Sequence, residues 1–131
     1  MTTEPDAGPS VQPPSLPDYD ERHMSLLWAV EAQAESIAAL HATMFPDPWT
    51  TKTIADVLGH PGSIALVAAQ AGGRTIGGFA LARVAADEAE ILTLGVAPPW
   101  RRNGVGRRLV AGIARGIARR PAPCQLAPLP S

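Results

Sequence analysis

The stretch LTLGVAPPWRRNGVGRRLVAGIARGIARR, Leu92 to Arg120, changes character twice. An apolar run stops at Pro98 and Pro99, a loop with Gly104, Gly106 and four arginines follows, and an apolar period of three to four residues then begins. That succession predicts a strand, a loop presented at the strand's end, and a helix from about Gly104 to Arg119. On the helix, Leu109, Val110, Ile113 and Ile117 form one face, while Arg101, Arg108 and Arg115 recur at seven-residue spacing on the other. Gly112 and Gly116 each cost about 1 kcal/mol relative to Ala in a helix interior, which predicts close packing on a sheet. At the loop, Gly104 and Gly106 let the backbone turn its N–H groups inward, and the helix N-terminus adds unpaired donors and a positive dipole end. A pyrophosphate suits such a cradle, and the adjacent arginines add charge.

Working outward, EAEILTLGV reads as the strand that feeds this loop. Before it, SIALVAAQ and RTIGGFALARVAA flank AGG, which supplies the positive φ of a hairpin, so three strands form an antiparallel meander. MSLLWAV from Met24 has the apolar density of a further short strand. AQAESIAALHATMF places Ile37, Leu40, His41 and Met44 at helical spacing and ends before Pro46 and Pro48. WTTKTIADVLGHPG restarts at Thr50 or Thr51 as N-cap, carries Ile54, Val57 and Leu58, and stops at Gly59. Residues 1–23 are rich in Pro, Ser and acids and are expected to be a disordered tail. Residues 24–120 are expected to form the single domain, and residues 121–131, with four prolines, an irregular tail.

The chain has 131 residues, enough for one core. Its one cysteine, Cys124, and its three scattered histidines have no metal-ligand spacing, so no metal is expected. The N-terminal residues lack the basic-then-apolar order of a signal peptide, and no apolar run approaches the roughly 18 residues of a membrane span. A soluble, cytoplasmic protein without a membrane partner is therefore expected. Net charge is −1, yet every Asp and Glu lies at or before Glu90, whereas seven arginines follow it. The C-terminal part should attract a polyanion, either nucleotide phosphates or nucleic acid.

AEILTLGVAPPWRRNGVGRRLV resembles the acetyl-CoA motif of the GNAT superfamily of N-acetyltransferases, whose Q/R-x-x-G-x-G/A signature appears here as Arg101, Gly104 and Gly106. ALHATMFPDPWTTKTI and GGFALARVAADEAEILTLGV are similar to the bacterial ribosomal-protein-alanine N-acetyltransferases within it. The resemblance, from about Met24 to Arg119, implies an α+β fold, an α/β sandwich in which helices pack on a mostly antiparallel meander. It also implies transfer of acetyl from acetyl-CoA to a protein N-terminal amine, with a ribosomal protein among the candidate acceptors. Backbone amides of Arg102, Asn103, Gly104, Val105, Gly106 and Arg107 would then hold the coenzyme A pyrophosphate, beside Arg101. Leu94, Gly95 and Val96 would pair with the pantetheine arm as if it were a strand, and an amide near Val96 would donate to the thioester oxygen.

The chain departs from the family after Arg120, where a further strand, a helix and a closing hairpin would follow, so a C-terminally truncated domain is expected. The Glu, Asn and Tyr of that continuation have no counterpart, and Tyr19 is the only tyrosine. Glu90 matches a glutamate that acts as general base in the related histone acetyltransferases; the competing reading is a solvated strand-end charge beside Glu88. Phe45 and Trp49 suit either an acceptor groove or core anchors, with core the better reading, and His41 reads as a packed histidine. Two alternatives to acetyl transfer stand beside it. One is a non-catalytic remnant with at most weak coenzyme A binding; the other, ranked last, is an RNA-binding module using the arginine helix.

Overall fold

The computed structural model describes residues 18–119 and 125–126. In chain order the elements are β1 (Ser25–Trp28), α1 (Ala34–Met44), α2 (Thr51–Leu58), β2 (Ser63–Gln70), β3 (Thr75–Ala85), β4 (Glu88–Val96), α3 (Val105–Ala118) and β5 (Gln125–Leu126). The strands form one sheet in the order β1-β2-β3-β4-β5, antiparallel up to β4 and parallel between β4 and β5. The expected meander is β2-β3-β4. Its first turn uses left-handed Ala71, Gly72 and Gly73, its second left-handed Ala86.

Alternation along the strands divides the core in two. Ile64, Leu66, Ala68, Ala80, Ala82, Ala89 and Ile91 face α3, whose Leu109, Ile113 and Ile117 are buried against them. Ala65, Val67, Phe79 and Leu81 face α1 and α2, which contribute Ile37, Leu40, Ile54 and Val57. Each Leu, Ile, Val or Phe among them, fully buried, stabilises the fold by about 1.5–3 kcal/mol. Thr50 caps α2, its hydroxyl oxygen accepting from the Thr53 N–H at 3.1 Å. Gly112 packs as tightly as its helix penalty suggests: a Cβ there would lie 2.4 Å from Leu66 Cδ1.

Order begins earlier than the composition of residues 1–23 predicts. Tyr19 packs edge-on against fully buried Trp100, centroids 5.9 Å apart, and the Asp20 N–H donates to Gln70 Oε1 at 2.7 Å. A buried glutamine amide needs partners, and this short segment supplies two, since Gln70 Nε2 also donates to Asp18 O at 3.5 Å. Residues 1–17 lie outside the described ones. Of the segment 121–131 only Gln125 and Leu126 are described, and they pair with Glu88 and Ala89. Neither paired residue is a proline, so both can join the ladder. Among the described residues no helix is long and apolar enough to cross a membrane.

Candidate functional site

Two features of β4 shape a site at its C-terminal end. The first is a bulge: Leu81 pairs with Thr93 and Ala82 with Ile91, so Leu92 is an extra residue that bends the strand. The only hint of it in the sequence is the adjacent apolar pair Ile91-Leu92, which breaks strict alternation. The second is an open edge. β4 is paired with β3 along its length but with β5 only at Glu88 and Ala89, so beyond Ala89 its outer edge has no strand partner among the described residues.

The Ala97 N–H donates to Gly77 O at 2.7 Å, toward β3. Successive residues alternate, so Val96 and Leu94 direct their backbone polar groups to the open edge, while Gly95, opposite Phe79, directs its own toward β3. Gly95 is glycine for another reason: a Cβ would lie 2.6 Å from Met44 Cε and 2.9 Å from Phe79 Cζ. One edge acceptor is engaged, since Arg101 Nε donates to Val96 O at 2.7 Å and ties the loop to the strand.

The loop itself is anchored by Trp100, which lies on Gly77 so closely that a Cβ there would meet the indole at 2.2 Å. Pro98–Trp100 form a 3-10 turn, Arg102 and Gly104 adopt left-handed φ of 67° and 75°, and Asn103 Nδ2 donates to Arg101 O at 3.0 Å. Gly104 is the N-cap of α3, and no side chain caps the helix. The Arg108 N–H reaches Gly104 O at 3.0 Å, so the amides of Val105, Gly106 and Arg107 precede the first intrahelical bond. A Cβ at Gly106 would meet only Val96 Cγ2, at an ordinary 3.7 Å, so nothing inside the protein requires glycine there. Arg101, Arg102, Arg107 and Arg108 are exposed and, among the described residues, in no ion pair. Uncapped amides, a glycine facing open space and the exposed guanidiniums of Arg102 and Arg107 together can hold a diphosphate.

Glu90 is exposed. Its neighbours Ala89 and Ile91 lie under α3, so Glu90 stands on the opposite face, directly across from Arg83. On that face, near the bulge, lies a buried polar pair that sequence reading missed: His41, 2% exposed, and Thr93, 8% exposed, with Nε2 and Oγ1 3.2 Å apart. His41 Nδ1 accepts the Trp49 N–H at 3.2 Å, which assigns the ring proton to Nε2 as donor to Thr93. The ring stacks on Phe45, Trp49 and Phe79, with centroids 4.2, 5.6 and 5.7 Å away, and burial lowers its pKa below the usual 6.5. His41 is thus a neutral, packed histidine; Phe45 and Trp49 are half-buried around it.

Residues 34–121, about two thirds of the chain, match the family model described as Acetyltransferase (GNAT) family, and the chain belongs to that family. Solved structures show the same fold. Arabidopsis thaliana NAA60 in complex with acetyl-CoA is 16% identical with a TM-score of 0.66, the match covering 79% of this chain and 72% of that one. The ribosomal-protein-S18-alanine N-acetyltransferase from Escherichia coli is 22% identical over 71% of this chain and 58% of its own, with a TM-score of 0.63. An aminoglycoside acetyltransferase from an uncultured soil metagenomic sample, in complex with sisomicin, is 14% identical over 85% and 79%, TM-score 0.65. No curated protein matches the sequence.

Proposed function

We propose that this chain is an acetyl-CoA-dependent N-acetyltransferase acting on a protein N-terminal amine, of the ribosomal-protein-alanine type. One observation carries the reading: the uncapped start of α3, with Gly106 open above it, adjoins the stretch of β4 that has no strand partner. A coenzyme with a diphosphate at one end and an amide-bearing arm at the other fits both parts together. The protein-amine acceptor is drawn from the Arabidopsis and E. coli relatives and from the sequence segments around α1 and α2.

When bound, acetyl-CoA supplies an acyl group on a good leaving thiolate. The residues of this chain would do the rest. The amides of Val105, Gly106 and Arg107 would donate hydrogen bonds to the diphosphate, with Arg102 and Arg107 adding positive charge and Arg101 holding the loop to β4. Leu94 and Val96 orient the arm through their edge-directed backbone groups, and the Val96 N–H can donate where negative charge develops on the acyl oxygen. Glu90 lies six residues before Val96 on β4, about 20 Å by strand rise, so it would take the proton of the attacking amine only through a chain of waters along the exposed strand, not directly.

The test is direct. Incubating the chain with acetyl-CoA and an alanine-starting peptide between pH 6 and 9 should yield a peptide heavier by one acetyl group, read by mass spectrometry. Micromolar coenzyme binding without product would leave the coenzyme site standing and defeat the catalytic reading; neither binding nor product would defeat both.

A further inference from the structure

The basic stripe of α3 continues past the coenzyme site to the far end of the helix, where it meets an exposed aromatic side chain. Trp28, at the end of edge strand β1, is 51% exposed. Its indole rests against the helix at Gly116, where a Cβ would lie 2.9 Å from Trp28 Cη2. Two open hollows adjoin the ring. One, about 280 Å³, is bordered by Trp28, Ala29, Ile64, Gly116 and Arg119. The other, about 200 Å³, is bordered by Leu26, Trp28, Leu66, Gly112, Arg115 and Arg119. Arg119 borders both.

Arg115 and Arg119 are exposed and in no ion pair among the described residues, and no Asp or Glu follows Glu90 in the sequence. Arg108, exposed on the same helix seven residues before Arg115, extends the positive row by about 10 Å. An indole face with space beside it accepts a flat aromatic ring; unpaired guanidiniums next to it accept phosphates. Single-stranded nucleic acid carries both groups at every residue, and its recognition by a stacking platform set in a cationic track is general. An acidic peptide would satisfy the arginines and leave the indole unused. A duplex would keep its bases stacked inside.

We propose that Trp28, Arg115 and Arg119 form a binding surface for single-stranded nucleic acid, one base stacking on the indole and the flanking phosphates meeting the two guanidiniums. The surface is separate from the coenzyme site and does not depend on acetyl transfer.

The full 131-residue chain would be titrated into a fluorescein-labelled single-stranded RNA 12-mer of uridines at 50–200 mM KCl, followed by anisotropy. Binding is expected at 50 mM salt, with a log–log salt slope of about −1.4 for two neutralised phosphates. Trp28→Ala should weaken it about tenfold. The double neutralisation Arg115→Gln/Arg119→Gln, at exposed positions, should abolish it while acetyl-CoA affinity and the fold, read by circular dichroism, stay as in the parent. Equal affinity for a duplex of the same length, or for a glutamate-rich peptide, would overturn the stacking and reduce the surface to bare charge. So would an unchanged affinity in Trp28→Ala, an absence of binding at 50 mM salt, or a solution dimer that protects Trp28 from fluorescence quenching by acrylamide.

Discussion

The two ends of α3 use glycine for opposite reasons. At the N-terminal end, Gly104 has φ 75° with no atom near its missing side chain, and Gly106 faces open space with only Val96 at van der Waals distance. Further along the helix, a side chain at Gly112 would strike Leu66 at 2.4 Å and one at Gly116 would strike Trp28 at 2.9 Å. The inner pair brings helix and sheet together; the outer pair leaves backbone bare toward the place where a ligand would lie. A glycine that packing explains concerns the fold, whereas one that packing leaves unexplained points outward, to what the protein binds.

The contrast breaks first at Gly112. Alanine there removes about 1 kcal/mol of helix penalty yet forces a methyl group into buried Leu66, so a net loss of about 2 kcal/mol is expected in urea unfolding, with coenzyme affinity unaltered. A stability gain would show that the tight contact relaxes freely. Gly106→Ala should do the reverse: a melting temperature at or above the parent's, and acetyl-CoA affinity at least tenfold weaker by calorimetry, about 1.4 kcal/mol. Unchanged affinity would remove Gly106 from the ligand's path. Gly104→Ala should cost about 1 kcal/mol of stability, because the left-handed backbone disfavours a Cβ. Gly116→Ala is expected to lie within about 0.5 kcal/mol of neutral, since half-exposed Trp28 can move aside and the helix gains propensity.

A smaller effect concerns the other face. His41 has its pKa lowered by burial, so the unfolded chain takes up a proton near pH 6.5 before the folded one does. Stability is therefore full above pH 6.5 and falls as the pH drops from there toward the folded value. A melting temperature that declines between pH 7 and 5 in the parent, and declines less in His41→Gln, would fit. Asp20, whose pKa is lowered chiefly by its hydrogen bond with His23, acts only below about pH 4, where its contribution is lost as the carboxylate protonates.

The sequence by itself determined what local chemistry dictates. Strand and helix periods, the stops at Pro46, Pro98 and Gly59, the Thr50 cap and the turn at Ala71–Gly73 are properties of a few adjacent residues, and they produced the meander, the three helices and the loop before α3. The loop's glycines and arginines are adjacent in the chain too, which is why that part of the candidate site was legible. Tertiary structure decided what joins distant residues. His41 and Thr93 are 52 positions apart, and Asp20 and Gln70 are 50 apart. The Leu92 bulge, the two-residue β5 and the meeting of Trp28 with Arg115 and Arg119 likewise depend on which surfaces the sheet brings together. Periodicity assigns a residue to a face but does not say what stands opposite. The arginine helix was therefore visible from the start, whereas the indole beside it appeared only when β1 took its place at the edge of the sheet.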